Sequence, residues 1–589
     1  MKNKSFAVVV VSSALFCHGA FAGVVPVPFG EAANTAFADE TADDQQGGWT
    51  DQGSNDLRVV KPGPYEHSGV AFDIASDAAT GGKSCIVLGG KPRPYLPQEA
   101  KLPVAAQGGE AVFYLLHAGA WCPSNNEILG TLTLEYADGT SQRHDIRGGR
   151  DVADWYQAKS GKNLFRGWTD YNGSKQVSLF ISKFALEPKS KLESVTLAAT
   201  DMVWMVAAAA IGDDVKVEPI KVVHRINREF EAPAFDGSLV QPKAGGTPRN
   251  IVLIIGDGMG QGALDLTSLW VHGTTNRLFM QHLPVTGLCK TASGNSSVTD
   301  SAAAASAIAC GEKVNNGSLA ITPDERALKS LALIAREKGK SIGILTSDPL
   351  SGATPAGFFA RQKSRGMAPE IVADAAACDF DILLGHAATR GYFIQNGKEP
   401  DQRNLQKEME SRGYQFVETL EQFAAVPADA RIVGQVESKL FTADDRMLAK
   451  FTQAAMERLA KDPDGFFMMV ESTYPDKGGH ANDPDFSIMG TIHADWAVQA
   501  AVEFAHRHGD TLVVCTADHE TGGLTAVAAP DGSRMPEIEY GSVNHTGVPV
   551  PLSAFGPGAE RFGGEIDNTD IAKTIGAFWG FEVPTEFGK

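Results

Sequence analysis

From residue 249 onward the hydrophobic pattern switches between two periods. Five runs are apolar at successive positions: NIVLIIGD (250–257), KSIGILTSD (340–348), DFDILLGH (379–386), DGFFMMVE (464–471) and DTLVVCTAD (510–518). A strand with no polar face must be covered on both sides, so these runs predict buried parallel strands. Helical stretches separate them. Thr322, Pro323 and Glu325 have the spacing of a capping box with proline at the first helical position, which predicts a helix to about Lys338, ended by Gly339. Residues 483–508 carry a long amphipathic pattern whose aromatics predict core packing. The expected fold class over 249–589 is α/β, an open, mostly parallel sheet with helices on both faces. In such sheets ligands collect at the carboxyl ends of the strands.

Residues 24–215 follow another grammar. AVFYLLHAGAW (111–121), TLTLEYADGT (131–140), QVSLFISKFAL (176–186) and LESVTLAAT (192–200) are strand-sized, and Asp138-Gly139 marks a hairpin turn. Strands at this spacing predict a β-sandwich. The block resembles a galactose-binding-type jelly roll of the kind appended to secreted enzymes. It holds five of the eight Trp, at 49, 121, 155, 168 and 204, which read either as sandwich core or as a sugar-stacking platform for glycan contact. Residues 216–248 contain Pro and Gly clusters without a sustained period and read as a connecting segment.

Composition narrows the possibilities. With 43% hydrophobic and 21% charged residues the chain is globular, and 52 Lys and Arg against 71 Asp and Glu give a formal charge of −19. Such an excess disfavours a surface for nucleic acid; anions would need a small, locally positive site. Residues 1–22 read as a signal peptide: Lys2 and Lys4, an apolar run from Phe6 to Phe16, then Ala20, Phe21 and Ala22. The expectation is an exported protein, periplasmic or secreted, whose mature chain starts at Gly23. No later apolar run approaches the ~18 residues of a transmembrane span. Six cysteines remain, at 85, 122, 289, 310, 378 and 515, without zinc-knuckle spacing; Cys85 with Cys122 is a candidate bridge.

Chemistry concentrates at strand ends. Asp257, Glu471 and Asp518 terminate three of the five runs, His519 follows Asp518, Asp476 and His480 follow Glu471, and His545 precedes another strand-like run. A strand-end Asp is commonly only a helix cap. Four carboxylates and three imidazoles at one sheet edge, however, would repel one another unless cations held them; mixed oxygen and nitrogen ligands suit Zn²⁺, and harder oxygen positions suit Mg²⁺. Separately, VTDSAAAASAIACG (298–311) predicts a helix opening at Ser301, whose hydroxyl would sit where free amides favour an anion.

GDGMG (256–260), VTDSAAAASA (298–307), ATPAGFFARQKSR (353–365), VESTYPDKGGH (470–480), TADHETGG (516–523) and NHTG (544–547) resemble, in order, the motifs of the alkaline phosphatase family. The resemblance runs through nearly all of 249–582 and implies metal-dependent hydrolysis of phosphate monoesters, on small phosphorylated substrates, through a phosphoserine on Ser301. It implies that Arg365 grips the phosphoryl oxygens, Asp300 orients Arg365, and Lys477 reaches the phosphate through solvent. Asp476, His480 and His545 match one Zn²⁺ site, and Asp257, Asp518 and His519 a second. Thr354 and Glu471, with Asp257 shared, match a Mg²⁺ site, giving two Zn²⁺ and one Mg²⁺.

Two departures stand out. Gly352 occupies a position where the family often has Asp or His near the Mg²⁺ and the phosphate. Only 25 residues separate His519 from His545, leaving little room for the insertion that helps many relatives dimerise. The alternatives are a phosphodiesterase or phosphomutase of the same superfamily and, from another class, a non-catalytic glycan-binding surface protein.

Overall fold

Alternation with a period of two builds the N-terminal unit. In strand Val112–Ala120, Phe113 and Leu115 enter one apolar layer, whereas Tyr114, Leu116 and Ala118 enter another on the opposite face. This computed structural model describes residues 23–588 except 47, 77–81, 124, 157–160, 173–175, 188–189, 236, 238–245 and 397–402, so the expected leader at 1–22 lies outside the described residues. The chain divides into two compact units between Lys221 and Val222.

In the first unit one antiparallel sheet runs in the order Val25–Val27, Val203–Gly212, Val112–Ala120, Gln176–Ala185, Phe165–Tyr171, and Ile86–Leu88 also pairs with Val203–Gly212. A second has the order Glu99–Pro103, Leu192–Ala199, Ile128–Tyr136, Ser141–Arg147. Phe113, Leu115 and Trp204 of the first sheet share a core with Leu132, Leu134, Val195 and Leu197 of the second. A register shift between Val206 and Ala208 puts Ala207 and Ala208 on the same side, and alternation then resumes in opposite phase. Three of the five Trp are core. Trp49 and Trp155 meet edge to face at 5.0 Å, and Trp204 donates to His117 Nδ1 at 2.8 Å. Trp121 is 39% exposed and Trp168 partly buried. The Cys85 and Cys122 thiols donate to the carbonyls of Thr35 and Val152 rather than approaching each other.

The second unit is built on a ten-stranded sheet in the order Tyr414–Val417, Arg431–Val436, Ile382–His386, Ser341–Pro349, Phe466–Ser472, Asn250–Gly256, Thr511–Ala517, Val550–Phe555, Val285–Lys290, Gly564–Asp567. Only Val550–Phe555 runs antiparallel to its neighbours. Every residue of Asn250–Gly256, Phe466–Ser472 and Thr511–Ala517 is buried, as continuous apolar strands require. Helices cover both faces. Gln261–His272, Met447–Leu459 and Pro484–His508 form one packed group; Ser301–Cys310, Ala353–Ala356 and Thr569–Trp579 form another. Residues 222–235 pack on this unit: Trp270 and Trp496 donate to the carbonyls of Arg228 and Glu231, and Ile226 joins the core.

The helix expected from Thr322 begins later, at Leu331, with the Ser330 hydroxyl accepting from Leu333 N. Thr322 caps a tight turn instead. Its hydroxyl accepts from Arg326 N at 3.0 Å, Glu325 takes φ 65°, and Leu328–Lys329 pairs with Thr585–Glu586. Local hydrogen bonding by Thr322 competes with the helix and wins where strand pairing follows.

Candidate active site

The register of the parallel strands aligns the chemistry. Ile255 lies beside Glu471 and Thr516, Gly256 beside Ser472 and Ala517, so Asp257, Glu471 and Asp518 emerge at one edge. The chain turns sharply after Asp257. Gly258 has φ 69°, its N–H donates to Asp518 Oδ1 at 3.0 Å, and a Cβ there would lie 2.6 Å from the Asp476 Cα. Only glycine fits that turn and that approach.

Asp257, Asp518 and His519 bring one ligand atom each within 4.8 Å of the others, and so do Asp476, His519 and His545. His519 Nε2 lies 3.6 Å from Asp257 Oδ1, 3.3 Å from Asp518 Oδ2 and 3.1 Å from Ser301 Oγ. Its Nδ1 faces the Thr521 hydroxyl, which donates to Asp476 Oδ1 at 2.7 Å. His480 Nδ1 pairs with the Val543 carbonyl at 2.7 Å and His545 Nδ1 with the Thr299 carbonyl at 2.8 Å, so each must carry its proton there. The two Nε2 lone pairs then face each other at 3.1 Å and reach Asp476 Oδ1 at 3.3 and 3.4 Å. With both rings neutral, three acceptors converge, and either a proton on His545, donated to Asp476, or a cation must relieve them. Asp257 Oδ1, Asp518 Oδ2 and Thr354 Oγ1 are also buried without a hydrogen-bond partner. Acceptors in these positions are what divalent cations require, with Nδ1–H anchored outside the first set of ligands.

Electrostatics agree. Burial, then repulsion from Asp518, Asp476, Glu471 and Asp348, pushes Asp257 well above the carboxylate range. Burial and the Asp348 charge raise Glu471 to about 8, and burial raises Asp518 to about 6. Asp476 goes the other way: burial would raise it, but the hydrogen bond from His545 and the neighbouring imidazoles outweigh burial. His545 is raised in turn because Asp476 overcomes its desolvation, while burial and His545 depress His519.

Ser301 opens the helix Ser301–Cys310, and Asp300 caps it by accepting from Ala303 N at 3.0 Å. All ten residues of that helix are buried, and Ala305 lies 2.8 Å from where a Cβ on Gly357 would sit, so small side chains allow the close packing behind Ser301. Asp300 Oδ2 also accepts from Gly317 N at 3.0 Å and meets Arg365 Nη1 at 3.2 Å. Arg365 is exposed. Lys477 Nζ donates to Asp348 Oδ1 at 2.8 Å, and the Thr346 hydroxyl donates to Glu471 Oε2.

The family model for alkaline phosphatase matches residues 248–536. Alkaline phosphatase H of Pseudomonas aeruginosa (strain UCBPP-PA14) is 30% identical over 416 residues, covering 58% of this chain and 86% of that protein. The chain belongs to the alkaline phosphatase family. Streptomycin-6-phosphate phosphatase of Streptomyces griseus is likewise 30% identical, over 59% of this chain and 94% of its own length. The structure of alkaline phosphatase from the Antarctic bacterium TAB5 superimposes with a TM-score of 0.51 at 28% identity, covering 57% of this chain and 99% of that one. Like other alkaline phosphatases, this one is a metal-dependent hydrolase of phosphate monoesters. None of its described helices is long and apolar enough to cross a membrane.

Sequence reasoning missed Thr346, Thr521 and Asp348. Asp348 was within reach: it ends the run 340–348 as Asp257, Glu471 and Asp518 end theirs, and the same strand-end rule applied to that run selects it.

Proposed function

We propose that this phosphatase acts through a covalent phosphoserine on Ser301. The convergence of His480 Nε2, His545 Nε2 and Asp476 Oδ1 carries the reading, because with both rings neutral it asks for a cation, and His519 of the adjoining ligand set lies 3.1 Å from Ser301 Oγ. Asp476, His480 and His545 would hold one Zn²⁺, and Asp257, Asp518 and His519 the other. Thr354 and Glu471, with Asp257 shared, would hold Mg²⁺; a variant of the TAB5 enzyme is described with Mg bound in its M3 site. When bound, such ions supply positive charge against the oxygens of the nucleophile and leaving group.

The chain's own residues do the rest. Ser301 Oγ sits at the first turn of its helix, where free amides favour the negative charge it acquires. Its bond to phosphorus forms as the ester oxygen leaves with the alcohol, which takes up the proton that Ser301 lost to solvent. Water then attacks the phosphoserine, Oγ regains a proton and inorganic phosphate departs. Arg365, held through Nη1 by Asp300, keeps its other donors for the phosphoryl oxygens. Lys477 adds positive charge through solvent.

The same reading makes 1–22 a signal peptide for export to the periplasm or beyond, 24–215 a jelly-roll-like accessory sandwich, 216–248 a connecting segment and 249–589 the catalytic domain. Two antiparallel sheets around one core support the sandwich. Of its five Trp, the solvent-accessible Trp121 and Trp168 are the ones left for glycan contact. The test is p-nitrophenyl phosphate hydrolysis by residues 23–589 at alkaline pH, before chelation, after it, and after return of Zn²⁺ and Mg²⁺, beside a bis-p-nitrophenyl diester. Activity on the monoester that falls with chelator and returns with both ions is expected. A folded, metal-loaded protein that prefers the diester would overturn the reading.

A further inference from the structure

Gly352 is not a glycine for backbone reasons. Its φ of −60° and ψ of 153° suit any L residue, and it precedes the short helix Ala353–Ala356 that carries Thr354. What crowds a side chain there is Asp348 first and the Pro349 carbonyl second: a Cβ built on Gly352 would lie 2.4 Å from Asp348 Oδ2, 2.9 Å from Pro349 O and 3.3 Å from Asp348 Cγ. The Asp348 carboxylate therefore fills the volume that a side chain at 352 would enter.

Three observations tie that carboxylate to the site. Its other oxygen, Oδ1, accepts from Lys477 Nζ at 2.8 Å. Its backbone N–H donates at 2.7 Å to the Thr346 hydroxyl, which in turn donates to Glu471, and Ser347 Oγ accepts from Thr473 N at 3.0 Å. Thr346 and Ser347, just before Asp348, are thus fastened to Glu471 and to Thr473 just past its strand. Two residues beyond Gly352, Thr354 Oγ1 is buried with no partner. Asp348, Glu471 and Asp257 bring three carboxylates to this corner, and the Lys477 ammonium is the neighbouring cation bonded to one of them.

The geometry points to Asp348 as the positioning carboxylate of the third, hard-cation site, supplied from the strand end in place of a side chain at 352. It contributes negative charge and an acceptor for the water shell that a small divalent ion retains, and it fixes Lys477 beside the phosphate. The inference rests on the three-ion reading proposed above and adds to it the residue that answers for Gly352.

The test is Mg²⁺ titration by calorimetry into protein already loaded with Zn²⁺, comparing the natural chain with Asp348→Asn, Asp348→Ala and the double variant Asp348→Ala/Gly352→Asp. Asp348→Asn keeps shape and should retain both Zn²⁺, yet bind Mg²⁺ at least about tenfold more weakly, a split that general misfolding would not produce. The double variant returns a carboxylate to the vacated volume from the other position. It should recover part of the affinity, partial because the new Cβ lies 2.9 Å from the Pro349 carbonyl oxygen. Unchanged Mg²⁺ affinity in Asp348→Asn would overturn the assignment, and no recovery in the double variant would overturn the claim that the two positions share one volume. A natural chain that holds two Zn²⁺ and takes up no Mg²⁺ would instead defeat the three-ion reading itself.

Discussion

Removing the metal should make the fold of the catalytic unit sensitive to alkali, and Glu471 contributes a share of the effect whose size can be worked out, beside those of Asp257 and Asp518. Its carboxyl is buried and raised from an ordinary 4.5 to about 8 in the metal-free protein, by burial first and the Asp348 charge second. Below about pH 4.5 it is protonated in both folded and unfolded chains and contributes no difference. As pH rises toward 8 the unfolded chain releases the proton while the folded chain keeps it, so folding stability falls; above that the penalty is constant. At 1.36 kcal/mol per pH unit the full loss is about 5 kcal/mol, or roughly 5–10 °C in Tm for a unit of this size. Divalent cations remove the penalty by compensating the ionised carboxylate. The assay is thermal unfolding of chelated and metal-loaded protein from pH 5 to 9, following the transition that responds to metal, because two units need not melt together. Chelated Glu471→Gln should lack the Glu471 share of the decline, keep the shares of Asp257 and Asp518, and exceed the chelated natural chain at pH 9. Parallel curves for the two chelated proteins across the range would refute the reasoning.

Further outcomes follow from the other contacts. Arg365→Ala should lower kcat/KM on p-nitrophenyl phosphate roughly ten- to hundredfold, the value of charge-assisted hydrogen bonds to phosphate, and leave Tm nearly unchanged because the side chain is exposed. Trp204→Ala should destabilise the N-terminal unit by ~3–5 kcal/mol, since it empties a fully buried site between the sheets and strips His117 Nδ1 of its donor; denaturant unfolding of that unit reads it directly.

Much of the fold was legible because parallel strands advertise themselves. All five apolar runs are strands of the large sheet, and the rule that ligands gather at strand ends selected Asp257, Glu471 and Asp518. Val203–Gly212 was not foreseen, since its four consecutive alanines carry helical propensity; it is a strand because it lies between two apolar layers that small side chains fill. Thr322 misled for a local reason, its hydroxyl serving a turn as readily as a helix start. Asp348 was legible as a strand-end carboxylate, but its pairing with Gly352 and Lys477 was not. Its place depends on the missing Cβ of Gly352 and on Lys477, 129 residues away, and neither relation has a sequence period.

The central claim is the covalent role of Ser301, and rapid acid quench during turnover tests it most directly. Mass spectrometry of the digested protein should find one added phosphoryl group on the peptide containing Ser301, absent in Ser301→Ala, whose hydrolysis should fall by at least about a thousandfold while both Zn²⁺ remain bound. Full hydrolysis by a metal-loaded Ser301→Ala protein, or a phosphoryl group trapped at another residue, would contradict the account.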